Sequence, residues 1–143
     1  MKDKLLIIIN IKKTALKLDK IIENFNRNEL ILRDNIKKEM YKLLRNAYKA
    51  NIFIEERYQY QKEMLVSIKM LDFYLINAYH KKLISKKQIT QYGDFLLQIY
   101  KLLQGWIKNE KGGRNCGINV NKTRKSRRKR KNKRYTKEYI GTS

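Results

Sequence analysis

The chain contains no proline, and five of its six glycines lie at or beyond Gly105. A body of about 100 residues with no proline and a single glycine, Gly93, rich in Leu, Ile and Lys, points to long helices. There is one cysteine, Cys116, which excludes an internal disulfide framework and any CxxC metal site. There is one histidine, His80, which excludes a multi-histidine metal centre. Acid is scarce: 13 Asp and Glu stand against 35 Lys and Arg, a formal net charge of +22 over 143 residues. Long apolar runs are missing too. The longest, Leu5 to Ile9, falls far short of the ~20 residues that span a bilayer. Met1-Lys-Asp-Lys precedes that run as it would in a secretory signal, but no small-residue cleavage site follows and the run continues into a helical pattern. The expected location is the cytoplasm, with no membrane partner.

The charge divides the chain in two. Residues 1–110 hold 22 basic and 12 acidic residues, and residues 111–143 hold 13 basic residues and one acid, Glu138. The body is rich in Lys, Ile, Asn and Tyr, which A/T-rich codons also favour, so its lysine content is open to a base-composition explanation as well as to a partner. The tail is dense in Arg as well and is less open to that discount.

Apolar periodicity predicts four helices. In the first, Leu5, Ile8, Ile11, Ala15, Leu18, Ile22 and Phe25 recur at spacings of three and four, and Asn26 with Glu29 forms a candidate capping pair for the next start. The second runs from about Glu29 to Ala50 and buries Leu32, Ile36, Met40, Leu43, Ala47 and Ala50. A third begins near Ile54, ends by His80 and aligns Gln61, Met64, Ile68, Leu71, Leu75 and Ala78. The fourth opens on Ser85-Lys-Lys-Gln88, a capping box. Its seam is Ile89, Tyr92, Leu96, Ile99, Leu103 and Trp106, widened by Phe95 and Leu102, and Gly105 beside Trp106 lets another backbone approach or leaves room for the indole. Short connections favour antiparallel neighbours. The expected fold is all-α: an antiparallel up-down four-helix bundle over residues 1–110, followed by a Lys/Arg-rich tail over 111–143. From Arg124 to Arg134, nine of eleven residues are Lys or Arg. That density repels itself, so the tail is expected to be disordered when free.

Catalytic constellations are thin. His80 stands at a helix end, where a favourable charge near the dipole explains it. Cys116 lies in a glycine-rich joint with no organised neighbourhood. Glu55-Glu56 is an acidic pair at a helix start, and Gly112-Gly113 lacks phosphate-loop spacing. No catalytic residue, metal or cofactor is expected. The tail is the stronger signal. Lys122, Arg124, Lys125, Arg127, Arg128, Lys129, Arg130, Lys131, Lys133 and Arg134 suit a phosphate backbone without needing a fold, with affinity drawn from counterion release. An anionic membrane surface is the weaker partner, because no apolar residues interleave the run, and a nuclear-import signal needs a eukaryotic setting. Among the ten tyrosines, Tyr41, Tyr48, Tyr74 and Tyr92 are expected to pack with their hydroxyls at the bundle rim rather than stack on bases. Trp106 is expected to pack within or between subunits.

The order of motifs carries a resemblance. Leu71-Asp-Phe-Tyr-Leu-Ile-Asn-Ala-Tyr79, then Leu83-Ile-Ser85-Lys-Lys-Gln88, then Leu96 and Ile99-Tyr-Lys-Leu-Leu-Gln-Gly-Trp-Ile107-Lys resemble the second half of the accessory variability determinant (Avd) family of diversity-generating retroelements. Asn24-Phe-Asn-Arg-Asn-Glu29 and the stretch from Leu43 through Ala47 to Asn51 resemble its helix 1–2 joint and helix 2 end. The likeness covers about residues 5–110. It implies a non-catalytic four-helix-bundle protein that assembles as a homopentamer. Such a protein binds a reverse transcriptase, template RNA and cDNA in support of mutagenic cDNA synthesis and retrohoming. Relatives often carry Lys or Arg on the third helix around Leu71–Ala78, where this chain has Asp72, Ile76 and Asn77. The nearest cations, Lys69, Lys81 and Lys82, are the expected partner-docking residues. The alternative is a bundle of the type encoded in ribosomal-RNA intervening sequences, with a structural or RNA-binding role. Those proteins usually end the second helix in an Ile-Ala-Glu-Gly-like motif, where this chain has Ala47-Tyr-Lys-Ala-Asn51.

Overall fold

The structure, a computed structural model, describes residues 2–112. Four α-helices account for most of them: α1 (Lys2–Ile22), α2 (Leu30–Ile52), α3 (Arg57–His80) and α4 (Lys86–Gly112). A 3-10 turn at Arg27–Glu29 leads into α2, and there is no strand among the described residues. Residues 111 and 112, expected to open the tail, close α4 instead, and the rest of the expected disordered tail, with its ten phosphate-contact candidates, lies outside the described range.

Each helix forms because a three-four apolar stripe can be buried on its neighbours. The α1 helix packs on α2 and α4, and α3 also packs on α2 and α4, an arrangement compatible with a bundle. Every stripe residue named above for α2, α3 and α4 is buried. Large side chains such as Ile36, Leu43, Ile68, Leu71, Leu96 and Ile99 are almost wholly enclosed. Each such burial contributes about 1.5–3 kcal/mol before conformational entropy is charged against it.

Three local expectations change. Leu5 is 64% exposed and Ile7, at 0%, takes the core position. Within the unbroken run Leu5–Ile9 the sequence gives no phase, so the register there is set by packing alone. Asn26 makes no side-chain cap bond; its carbonyl accepts from the Glu29 amide at 2.8 Å. The Glu29 carboxylate instead reaches Lys81 at 2.8 Å, so a long-range ion pair displaces the capping box. The third helix begins at Arg57 rather than Ile54. A backbone bond from the Phe53 amide to the Lys49 carbonyl ends α2, and the chain turns through residues 53–56 before α3 starts.

The Ser85 box forms as expected. The Gln88 amide donates to Ser85 Oγ at 3.1 Å and the Ser85 amide donates to Gln88 Oε1 at 2.8 Å. Replacing Ser85 with Ala should destabilise the chain by about 1 kcal/mol, the usual worth of an N-cap. Urea unfolding followed at 222 nm would measure it, and an unchanged midpoint would show the box to be idle. Before it, α3 closes with Lys82 in the left-handed region (φ 62°). The Lys82 amide reaches the Tyr79 carbonyl and the Leu83 amide reaches the Ala78 carbonyl, both at 2.9 Å. This is the paired closure that glycine usually makes, here held by a lysine at a cost of about 1 kcal/mol.

Candidate nucleic-acid interface

Because the core stripes occupy one side of each helix, the charges are forced to the other. On α2 the buried positions Ile36, Met40, Leu43, Ala47 and Ala50 leave an outer stripe of Lys38, Tyr41, Lys42, Arg45 and Tyr48, all exposed. These five recur at the same three-four spacing on the opposite face. Seven residues separate Tyr41 from Tyr48, so at 100° per residue they differ by only ~20° in direction and stand ~10.5 Å apart along the axis.

The outer surface of α1 is basic as well. Lys12, Lys13, Lys17 and Lys20 are exposed around it, Lys12 toward α2 and Lys13 and Lys17 toward α4. The Lys12 ammonium lies 5.5 Å from the centre of the Tyr48 ring, which joins the α1 cations to the α2 stripe. On α1's other flank Lys13 and Lys17 line a shallow cleft with Asn10, Thr14, Phe95 and Gln98, and Lys17 sits 4.5 Å over the Phe95 ring. That cleft contains no acidic residue.

Several acids that could neutralise these faces are engaged elsewhere. Glu29 pairs with Lys81, Asp34 with the adjacent Arg33, and Glu110 with Arg57. Asp72 is buried on α3. Together α1 and α2 carry twelve Lys or Arg and four Asp or Glu, against eight and four on α3 and α4, so an incoming polyanion would meet the larger cation excess along α1 and α2.

The tyrosines divide into two sets. Tyr92 behaves as expected: it is buried, and its hydroxyl donates to the Lys17 carbonyl at 3.2 Å. Burial pushes its ionisation above the ordinary tyrosine value, and Tyr100 is raised for the same reason. Tyr74 packs half-buried against the core. Tyr41 and Tyr48 differ from the expectation, being 54% and 36% exposed. The sequence signal that could have found them is the second three-four stripe on α2, which a search for apolar periodicity passes over.

The expected docking cations are dispersed. Lys69 lies on α3 with its ammonium 5.8 Å from the Tyr100 ring. Lys81 is held by Glu29, and Lys82 belongs to the turn that closes α3. Of the α3 residues near them, Asp72 is buried and Ile76 packs half-buried on the core. His80 is exposed at the end of α3 with the Tyr79 ring as its neighbour. Trp106 is buried, as expected of a packing residue, with the Arg57 guanidinium 5.5 Å from its ring centre.

Arg57 itself was missed by periodicity. It is only 6% exposed. It donates from Nε to the Ala50 carbonyl at 2.8 Å and from Nη2 to the Asn51 carbonyl at 3.4 Å, and its Nη1 meets Glu110. One side chain thus fastens the end of α2, the start of α3 and the end of α4.

Among the described residues no cluster of three or more His, Cys, Asp or Glu could hold a metal ion. No described helix is long and apolar enough to cross a membrane. No protein-family model, curated protein or solved structure matches this chain.

Proposed function

We propose that this chain is a non-catalytic accessory protein of a diversity-generating retroelement, an RNA-binding scaffold that holds template RNA for a reverse transcriptase in the cytoplasm. The observation that carries the reading is the alignment of cations along α1 and α2, joined in the same chain to a tail with nine Lys or Arg in eleven residues. A polyanion is the ligand class that such a surface binds most strongly. The reverse transcriptase and the homopentamer rest on the motif order in residues 5–110 alone.

The reading takes the body as an antiparallel up-down bundle. Three contacts support that direction. The start of α3 meets the end of α4 through Arg57 and Glu110, the start of α4 meets the end of α1 through Tyr92 and Lys17, and Lys81 after α3 meets Glu29 before α2.

The test is co-purification with the reverse transcriptase encoded beside this chain, with and without its template RNA. The expected result is a complex that forms with RNA present and weakens when nuclease is added. No association in any combination would defeat the proposal.

A further inference from the structure

We infer that the outer stripe of α2 is a stacking ridge for single-stranded RNA, with Tyr41 and Tyr48 as platforms and Lys38, Lys42 and Arg45 as phosphate contacts. The inference rests on the RNA-binding reading above and narrows it to one form of RNA on one helix face.

Two aromatic rings on one exposed helix face need a reason. The body's other tyrosines mostly pack: Tyr60, Tyr74, Tyr79 and Tyr100 are half-buried against the core and Tyr92 is inside it. Tyr41 and Tyr48 turn away from that core, and neither hydroxyl has a hydrogen bond among the described residues. Between them, on the same face, stands Arg45, with Lys38 and Lys42 within one turn of Tyr41.

An alternation of ring and cation matches a single strand, whose bases and phosphates alternate in the same way. Every base has a π-face, so stacking tolerates any sequence and is worth about 1–3 kcal/mol per base. The ~10.5 Å between the rings leaves room for intervening nucleotides. Lys12, already against the Tyr48 ring, extends the cationic border onto α1. A duplex cannot use the platforms, because its bases are paired inside and the helix offers only grooves and phosphates. The ridge should therefore discriminate strandedness, which the basic tail alone cannot do.

The test uses the full chain and fluorescence anisotropy with two probes, a single-stranded oligouridylate and an RNA duplex, each of about 20 nucleotides per strand so that several site lengths are covered. The variants are Tyr41→Leu/Tyr48→Leu together and Arg45→Gln. At roughly 0.3 M salt, where counterion release contributes less, the double variant should lose about 10- to 100-fold on the single strand and almost nothing on the duplex. Its slope of log affinity against log salt should stay unchanged, because no cation was removed. Arg45→Gln should lower the slope by about 0.7 on the single strand. Equal losses on both probes, or no loss on either, would overturn the ridge. So would a change of oligomer size in sedimentation for the double variant, which would assign the face to a second copy of the chain. A wild-type chain that binds neither probe would defeat the RNA-binding reading as a whole, whereas a double variant that binds the single strand as tightly as wild type overturns the ridge alone. Circular dichroism of each variant against wild type checks that α2 is intact.

Discussion

Deleting residues 112–143 should cost RNA affinity steeply at low salt and little at high salt. The deletion removes the nine cations between Arg124 and Arg134. Each phosphate neutralised on a single strand contributes about 0.7 to the slope of log affinity against log salt. If all nine engage, the slope shrinks by about six, and affinity falls on the order of a thousandfold or more at ~0.05 M salt. The body should keep its helicity. The α4 seam ends at Trp106, and the last fastened side chain, Glu110, precedes the cut. A titration series at four salt concentrations, with circular dichroism alongside, reads both halves of this expectation. A truncated chain that binds as tightly and as salt-steeply as the whole would remove the tail from the interface.

Replacing Arg57 with Met should destabilise the chain by about 2–3 kcal/mol, the worth of one hydrogen bond from a charged donor to the buried Ala50 carbonyl, with the longer, part-buried bond to Asn51 adding little. The Ala50 and Asn51 carbonyls lie in the last turn of α2, where no helical amide is available to satisfy them. The guanidinium supplies both bonds and places a positive charge at the negative end of the helix dipole. Methionine keeps the apolar stem and its packing near Trp106 but donates nothing. The ion pair counts for less, because the Glu110 side chain is 44% exposed and solvent screens it. Glu110→Gln should therefore cost under about 1 kcal/mol. Urea midpoints at constant slope would separate the two variants. Equal losses would mean that the ion pair, not the capping of α2, holds this corner.

The contrast between these residues shows what a sequence displays and what it hides. The stripes of α2, α3 and α4 were legible because each is interrupted by polar residues that fix its phase. Leu5–Ile9 is not interrupted, so Ile7 and Leu5 could be told apart only by the packing. Ser85 and Gln88 were legible because a capping box is local. Glu29 follows Asn26 at the same spacing, yet its carboxylate went to Lys81, 52 residues away. Arg57 was hidden for the same reason, since its partners lie 7 and 53 residues off. The α2 stripe was written in the sequence but in polar letters, and a reading tuned to apolar periodicity assigned Tyr41 and Tyr48 to the rim. The ten tail cations were plain from composition, and their arrangement lies outside the described residues.

The Arg57 fastening has a consequence for how two weak grips combine. By tying Glu110 to the corner where α2 ends, it anchors the base of the tail at one end of the α2 face. Eleven residues lie between Gly112 and Arg124 in the sequence, twelve Cα steps that cannot exceed ~43 Å, and α2 itself is ~35 Å long. If both surfaces bind RNA as proposed, a strand held by one would meet the other at an effective concentration set by that length, and the pair should hold far longer than either would apart.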